Sequence, residues 1–153
     1  AGIKAQAEYV KPQLKKVGID VEIRSSPDFP TWAKRIGGHD FEMTWDVVFN
    51  WGDPVIGVHR TYSSSNIKKG VIWSNTQSYA NNRVDELMEM AGSETDPVKR
   101  KALYSEFQKI IAEDVPVYHT YALPYHTIYS DKVGNPPVGI WATVSPLDRV
   151  YLK

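Results

Sequence analysis

The chain contains no cysteine, which excludes disulfides, thiolate nucleophiles and cysteine-ligated metals. It carries no net charge, because 18 basic and 18 acidic residues balance. Nucleic acid and anionic membranes both require concentrated positive charge, so neither is the expected partner. The tightest basic groupings are Lys15-Lys16, Lys68-Lys69 and Lys99-Arg100-Lys101. The last falls within a helical pattern and reads as a solvated face. No apolar run approaches the roughly 20 residues of a membrane-spanning helix. A signal peptide and an initiator methionine are also missing. Residue 1 is Ala and a helical repeat begins almost at once, so the chain reads as processed or as cut from something longer.

The usual catalytic signatures are equally sparse. No serine sits in a Gly-x-Ser-x-Gly turn. His39, His59, His119 and His126 are dispersed, with no local spacing to a serine and a carboxylate. No two histidines stand at helical i, i+4 spacing, and no carboxylate-rich calcium loop is present. Gly37-Gly38 lacks the remaining glycines and the Lys-Ser or Lys-Thr of a phosphate loop. We therefore expect no metal, no cofactor and no catalytic residue. One alternative is a glycosidase-like hydrolytic domain using Asp46 and Asp53 as a carboxylate pair.

A length of 153 residues suffices for one domain with a core. Ile3, Ala7, Val10, Leu14 and Val17 recur at helical spacing, with Pro12 predicting a kink or a late start and Gly18 a stop. Ile19, Val21 and Ile23 alternate with polar residues and predict a half-buried strand. Asp28 is placed to cap a short helix carrying Phe29, Trp32, Ala33 and Ile36 on one face, ended by Gly37-Gly38. Phe41, Met43, Trp45, Val47 and Phe49 alternate along a second strand. Strand, short helix, strand predicts a parallel crossover unit. The loop Asn50-Trp51-Gly52-Asp53-Pro54 then lies at the carboxyl end of the second strand, where open α/β sheets receive ligands. A short helix is expected near 55–61, followed mostly by loop.

Val84, Leu87, Met88 and Ala91 form one helical stripe, and Leu103, Phe107, Ile110 and Ile111 another, opened by Asp96-Pro97 as cap and first turn. The two form a helical hairpin over a sheet. Residues 116–123 and 126–130 read as further strands. The Pro- and Gly-rich tail from 134 to 153 shows no pattern able to bury itself. Aromatic residues make up 12% of the chain. Trp51, Tyr62, Trp73, Tyr79, Tyr125 and Trp141 fall in polar, turn-prone stretches. Such rings either wall a cleft or pack against the sheet. Asp53 beside Trp51 either meets a ligand ammonium or caps the helix after Pro54, and the two roles are compatible. A free-standing aromatic carbohydrate-binding module is a further alternative.

The ordered set of segments is more specific than any one of them. A helix runs into Leu14-Lys15-Lys16-Val17-Gly18-Ile19-Asp20-Val21-Glu22, followed by Asp40-Phe41-Glu42-Met43 and the Trp51 to Asp53-Pro54 loop. Asn75 to Tyr79 then precede Asn81-Asn82-Arg83-Val84-Asp85-Glu86-Leu87-Met88, and Asp96-Pro97-Val98-Lys99-Arg100 leads to Leu103 and on to Pro116. In this order, over about residues 3–133, the chain resembles the C-terminal part of family 5 of the extracytoplasmic solute-binding proteins, which serve peptide, oligopeptide and nickel ABC transporters.

That resemblance implies an α/β fold: one lobe of a two-lobe, class II type periplasmic binding protein, with a small sheet and packed helices. Residues 1–133 would form the lobe, the return hinge strand would lie near 116–123, and 134–153 would pack on this lobe or the other. It implies no catalysis and a periplasmic location. Its partners would be a small polar or peptide-like ligand, a membrane permease of an ABC importer and a missing N-terminal lobe. Asn50, Trp51, Gly52, Asp53, Asn75 and Tyr79 are the candidate ligand-binding residues. In peptide-binding relatives an aspartate after the loop tryptophan holds the ligand's amino terminus. Asp53 stands either for that aspartate or for the Asp of the family's Asp-Pro pair.

Overall fold

The computed structural model describes residues 2–124, 126–139, 141 and 145–153. Its helices are α1 (Gly2–Lys15), α2 (Phe29–Gly38), α3 (Pro54–Gly57), α4 (His59–Tyr62), α5 (Asn82–Ser93) and α6 (Pro97–Asp114), with a 3-10 turn at Ser64–Asn66. Two short strands, β1 (Val133–Gly134) and β2 (Tyr151–Leu152), pair antiparallel.

Local chemistry accounts for the helix ends. Asp28 accepts from the Thr31 N–H and starts α2, with Pro30 in the first turn. Asn81 accepts from the Arg83 and Val84 N–H groups and starts α5. Asp96 does the same for Val98 and Lys99 ahead of α6, with Pro97 in the first turn. After α1 the chain turns at Gly18, whose φ of +87° suits a residue without a side chain. Ile19 N–H then closes back on Leu14 O at 3.0 Å. The helix runs through Pro12 without interruption.

The core sits between α4, α5 and α6. Tyr62, Val84, Leu87, Met88 and Phe107 are buried together, flanked by Leu103, Tyr104, Ile110, Ile111 and Val117. Tyr62 meets Phe107 edge to face at 5.5 Å. The loop before α5 is held by Asn75, which is completely buried. Its Nδ2 donates to Tyr62 O, Ser63 O and Tyr79 O, and its Oδ1 accepts from Tyr79 N–H. One amide thus meets four backbone groups. Tyr62 O, Tyr79 O and Tyr79 N–H have no other backbone partner among the described residues, while Ser63 O also accepts from Asn66 N–H.

The predicted strands at 19–24, 41–49, 116–123 and 126–130 are not assigned, and the parallel crossover unit does not form. A strand exists only where a neighbour supplies a hydrogen-bonding ladder, and among the described residues none of these segments has one. The tail, by contrast, pairs with itself through β1 and β2. There the Tyr151 ring lies so close to Gly134 that a β-carbon would fall 2.3 Å from it.

Much apolar surface is left uncovered. No residue of α1 is buried, and Ile3 of its apolar stripe is exposed, as is Val17 in the turn that follows. Tyr9, Val10, Trp45 and Tyr121 line an open apolar groove beside it. The chain exposes 11266 Å², against about 7,800 Å² expected for a compact monomer of this mass.

Replacing Asn75 by Ala strands Tyr62 O, Tyr79 O and Tyr79 N–H in the interior. It is expected to lower stability by about 3 kcal/mol, measurable by urea unfolding. Asn75→Asp, which keeps an acceptor and loses the donors, is expected to recover little of that.

Candidate functional site

The 50–54 loop is built around one carboxylate. Asp53 adopts an extended backbone, and its Oδ1 accepts from Val55 N–H at 2.9 Å, capping α3. Both carboxylate oxygens also receive Arg100, from Nη2 to Oδ1 and from Nη1 to Oδ2, each at 2.9 Å. Arg100 rises from the first turns of α6 and donates its Nε–H to Ala91 O at the end of α5. Its guanidinium lies 5.3 Å from the centre of the Tyr104 ring, and the Tyr104 hydroxyl meets His59 Nε2 at 2.9 Å. The guanidinium hydrogen bonds hold the Asp53 carboxyl below the usual carboxylate range, helped by the Val55 N–H. Burial pushes His59 below its ordinary value.

Trp51 stacks near-parallel with Phe49 at 5.4 Å and with Trp141 at 5.6 Å. Trp51 is half-buried and Trp141 is exposed, so the stack ends at solvent. Asn50 and Gly52 are exposed beside it. The loop backbone is pressed onto α3 at Gly57, where a β-carbon would come within 2.6 Å of Trp51 N and 2.7 Å of Asn50 Cα. Arg60, on α4, reaches the same edge and donates from Nη2 to Phe49 O at 3.4 Å.

The six candidate residues do not converge. Asn50, Trp51, Gly52 and Asp53 share the loop. Asn75 is sealed inside with both ends of its amide engaged, so it is an internal clasp and not a ligand contact. Tyr79 donates its hydroxyl to Asp114, which also accepts from Asn81. Burial, with the Asp114 carboxylate, pushes the Tyr79 hydroxyl up to about 12. Arg100 and Asp114 mark the two ends of α6. At 1.5 Å per residue this puts the anchors of Asp53 and Tyr79 about 21 Å apart. Tyr79 therefore braces the far end of α6.

The hydrolytic alternative fares no better. Asp53 is engaged on both oxygens. Asp46 accepts from its neighbour Val47 N–H at 2.7 Å. Although Asp46 as a residue is exposed, protein crowds its carboxyl. That desolvation raises it above the usual range, offset by Val47 N–H, the Trp73 indole and the Arg60 charge. His59, His119 and His39 pair with Tyr104, Tyr62 and Ser78 respectively. Among the described residues no group of histidines and carboxylates is arranged to hold a metal ion.

Sequence reasoning missed both arginines. Arg100 lies in the basic run read as a solvated face, and Arg60 stands in no motif. It also missed the patch in which Phe29, Trp32 and Trp73 meet at 5.5 to 6.3 Å. Trp73 there adopts a left-handed φ of 54°.

Against known proteins, the chain is 28% identical over 144 residues to "Probable deoxycholate-binding periplasmic protein YgiS" of Escherichia coli (strain K12). The alignment takes in 91% of this chain and 24% of the relative. The chain thus spans about a quarter of that protein's length. No protein-family profile matches the chain, and no solved structure matches it. The expected membership of family 5 is therefore not upheld. No profile supports it, and the relative is described by deoxycholate, not by peptide or nickel. Among the described residues no helix is long and apolar enough to cross a membrane.

Two outcomes are expected at this loop. Gly57→Ala forces the Trp51 backbone outward. It should lower stability by about 1–3 kcal/mol and shift the tryptophan emission, read by chemical unfolding and fluorescence. Asp53→Asn should destabilise at neutral pH. A depressed native pKa confers stability that is complete above the unfolded-state value of about 3.9. It is lost as pH falls through the native value. The gap between wild type and variant, followed by urea melts at pH 7, 5 and 3, should close only at the acid end.

Proposed function

We propose that this chain is part of an extracytoplasmic small-molecule-binding protein, with ligand resting on the edge formed by residues 49–53. The observation that carries this reading is the Phe49–Trp51–Trp141 stack, an apolar wall that ends at solvent beside a rigid, capped loop. The distant relative described as deoxycholate-binding and periplasmic supports a ligand with a flat apolar body. An amine-bearing peptide is a poor fit, because the one loop carboxylate is already paired with Arg100.

The α/β lobe remains the proposed architecture. The alternating segments at 19–24, 41–49 and 116–123 would add strands to a sheet completed by sequence outside this chain. The uncovered stripe of α1 and the surplus surface support that completion. A second lobe closing over the 49–53 edge would trap the ligand, which shifts the open–closed equilibrium by its greater affinity for the closed form. Hand-over to a membrane transporter would follow.

The test is calorimetric titration of the protein, expressed with the coding sequence that flanks these residues, against deoxycholate and against di- to tetrapeptides. Saturable deoxycholate binding, weakened at least about tenfold by Trp51→Ala through loss of the ring contact, is expected. Peptides should give no saturable signal. Peptide binding abolished by Asp53→Asn, or a Trp51→Ala protein that titrates like wild type, would refute the proposal.

A further inference from the structure

The arginines of this chain have well-defined partners, apart from Arg60 and the solvent-exposed Arg149. Arg24 pairs with Asp40 at 3.1 Å, Arg83 with Glu86 and Glu106, and Arg100 with Asp53. Arg149 stands 3.9 Å from Asp148, and Arg35 donates to Ser25 O and Ser26 Oγ. Arg60 makes one long bond, Nη2 to Phe49 O at 3.4 Å, and its Nε is buried without a hydrogen-bond partner. Arg60 as a residue is half-buried. Asp46 is close enough to feel the guanidinium, but no ion pair joins the two. A buried donor on a permanent cation is costly to leave unmet. An unmet buried donor of this kind calls for a cause, in strain or in function.

What borders Arg60 narrows the choice. Its acceptor is the carbonyl of Phe49, whose ring stacks on Trp51, which stacks in turn on Trp141. A guanidinium fork beside an apolar wall matches a molecule with a planar anionic head and an apolar body. We propose that Arg60 is the anion anchor of the 49–53 edge and that the ligand is an amphipathic organic anion, its carboxylate or sulfonate on Arg60 and its apolar body against the aromatic stack. This rests on the binding role proposed above and adds the charge of the ligand and the residue that reads it.

The test compares deoxycholate, its uncharged methyl ester, and decanesulfonate as an anion of different shape, each titrated by tryptophan fluorescence. Wild type should bind deoxycholate at least about tenfold more tightly than the ester. Arg60→Gln should erase that preference while leaving ester binding unchanged, and Arg60→Lys should keep the charge and recover only part. Arg24→Gln, which removes the same charge from an exposed pair, should bind as wild type does. Without ligand, Arg60→Gln should melt no lower than wild type, because the side chain it replaces is unsatisfied.

Equal affinity for acid and ester overturns the assignment. So does an Arg60→Gln protein that keeps the preference, an equal loss in Arg24→Gln, or a marked fall in the unliganded melting temperature of Arg60→Gln. If Arg60→Gln does not fold, Arg60→Lys decides: a wild-type preference in that protein overturns the assignment. Arg60-dependent binding of decanesulfonate with neither steroid bound would overturn the steroid reading and uphold the anion anchor. No saturable binding of either anion would overturn both.

Discussion

The forked pair between Asp53 and Arg100 fixes the relation between the loop and the helical core. Arg100 grips Asp53 with two nitrogens and the last turns of α5 with the third. One side chain therefore joins α3, α5 and α6. Asp53 in turn caps α3, and α3 at Gly57 presses on the backbone of Asn50 and Trp51. The orientation of the indole follows from that chain of contacts. A planar guanidinium is suited to this task because its two parallel hydrogen bonds specify direction as well as distance. With side chains partly open to water, the pair contributes more to geometry than to stability.

The same pair changes the chemistry available at the edge. A carboxylate next to an indole in a loop is a natural receptor for a ligand amine, and the sequence carries that suggestion plainly. Once both oxygens face Arg100 and one also accepts from the helix start, the negative charge is neutralised locally. What the loop then offers outward is ring surface, an exposed Asn50 and, one helix further on, a guanidinium with capacity to spare. The loop's own carboxylate no longer makes the edge acidic. This inversion could not be read from residues 50–54 alone, because its cause lies 47 positions away.

The helices were legible wherever short-range chemistry specifies them. Asp28 and Asp96 cap the helices their sequence positions predict, and the stripes of α5 and α6 face the core: Val84, Leu87, Met88, Ala91 and Phe107 are buried, with Leu103, Ile110 and Ile111 partly buried against them. The strands were legible only as periodicity. Alternation at 19–24 and 41–49 states which face seeks burial, but a ladder needs a second chain segment, and none pairs with these among the described residues. Asn75 and Tyr79 illustrate a different gap. A polar residue in a turn-prone stretch looks the same in sequence whether it faces a ligand or closes a loop from inside. Only the carbonyls of Tyr62 and Ser63 arriving from the preceding turn decide for closure.

Arg100 and Arg60 are the same residue type, both near one loop, and differ only in what meets them. Arg100 has a carboxylate, a carbonyl and a ring, so its charge is absorbed and it serves as a fastener. Arg60 has one long bond to a carbonyl, an unmet Nε and the Asp46 charge nearby without an ion pair, so its charge is only partly answered. A protein under selection only for stability would lose little by replacing such a group with a hydrocarbon of similar volume. Its position beside the Phe49–Trp51–Trp141 wall gives it a use that stability does not: it turns an apolar shelf, which would accept any flat molecule, into one that prefers an anion. Specificity for a charged head is obtained most readily where a cation is already partly desolvated, because an anion then gains more there than a neutral molecule of the same shape.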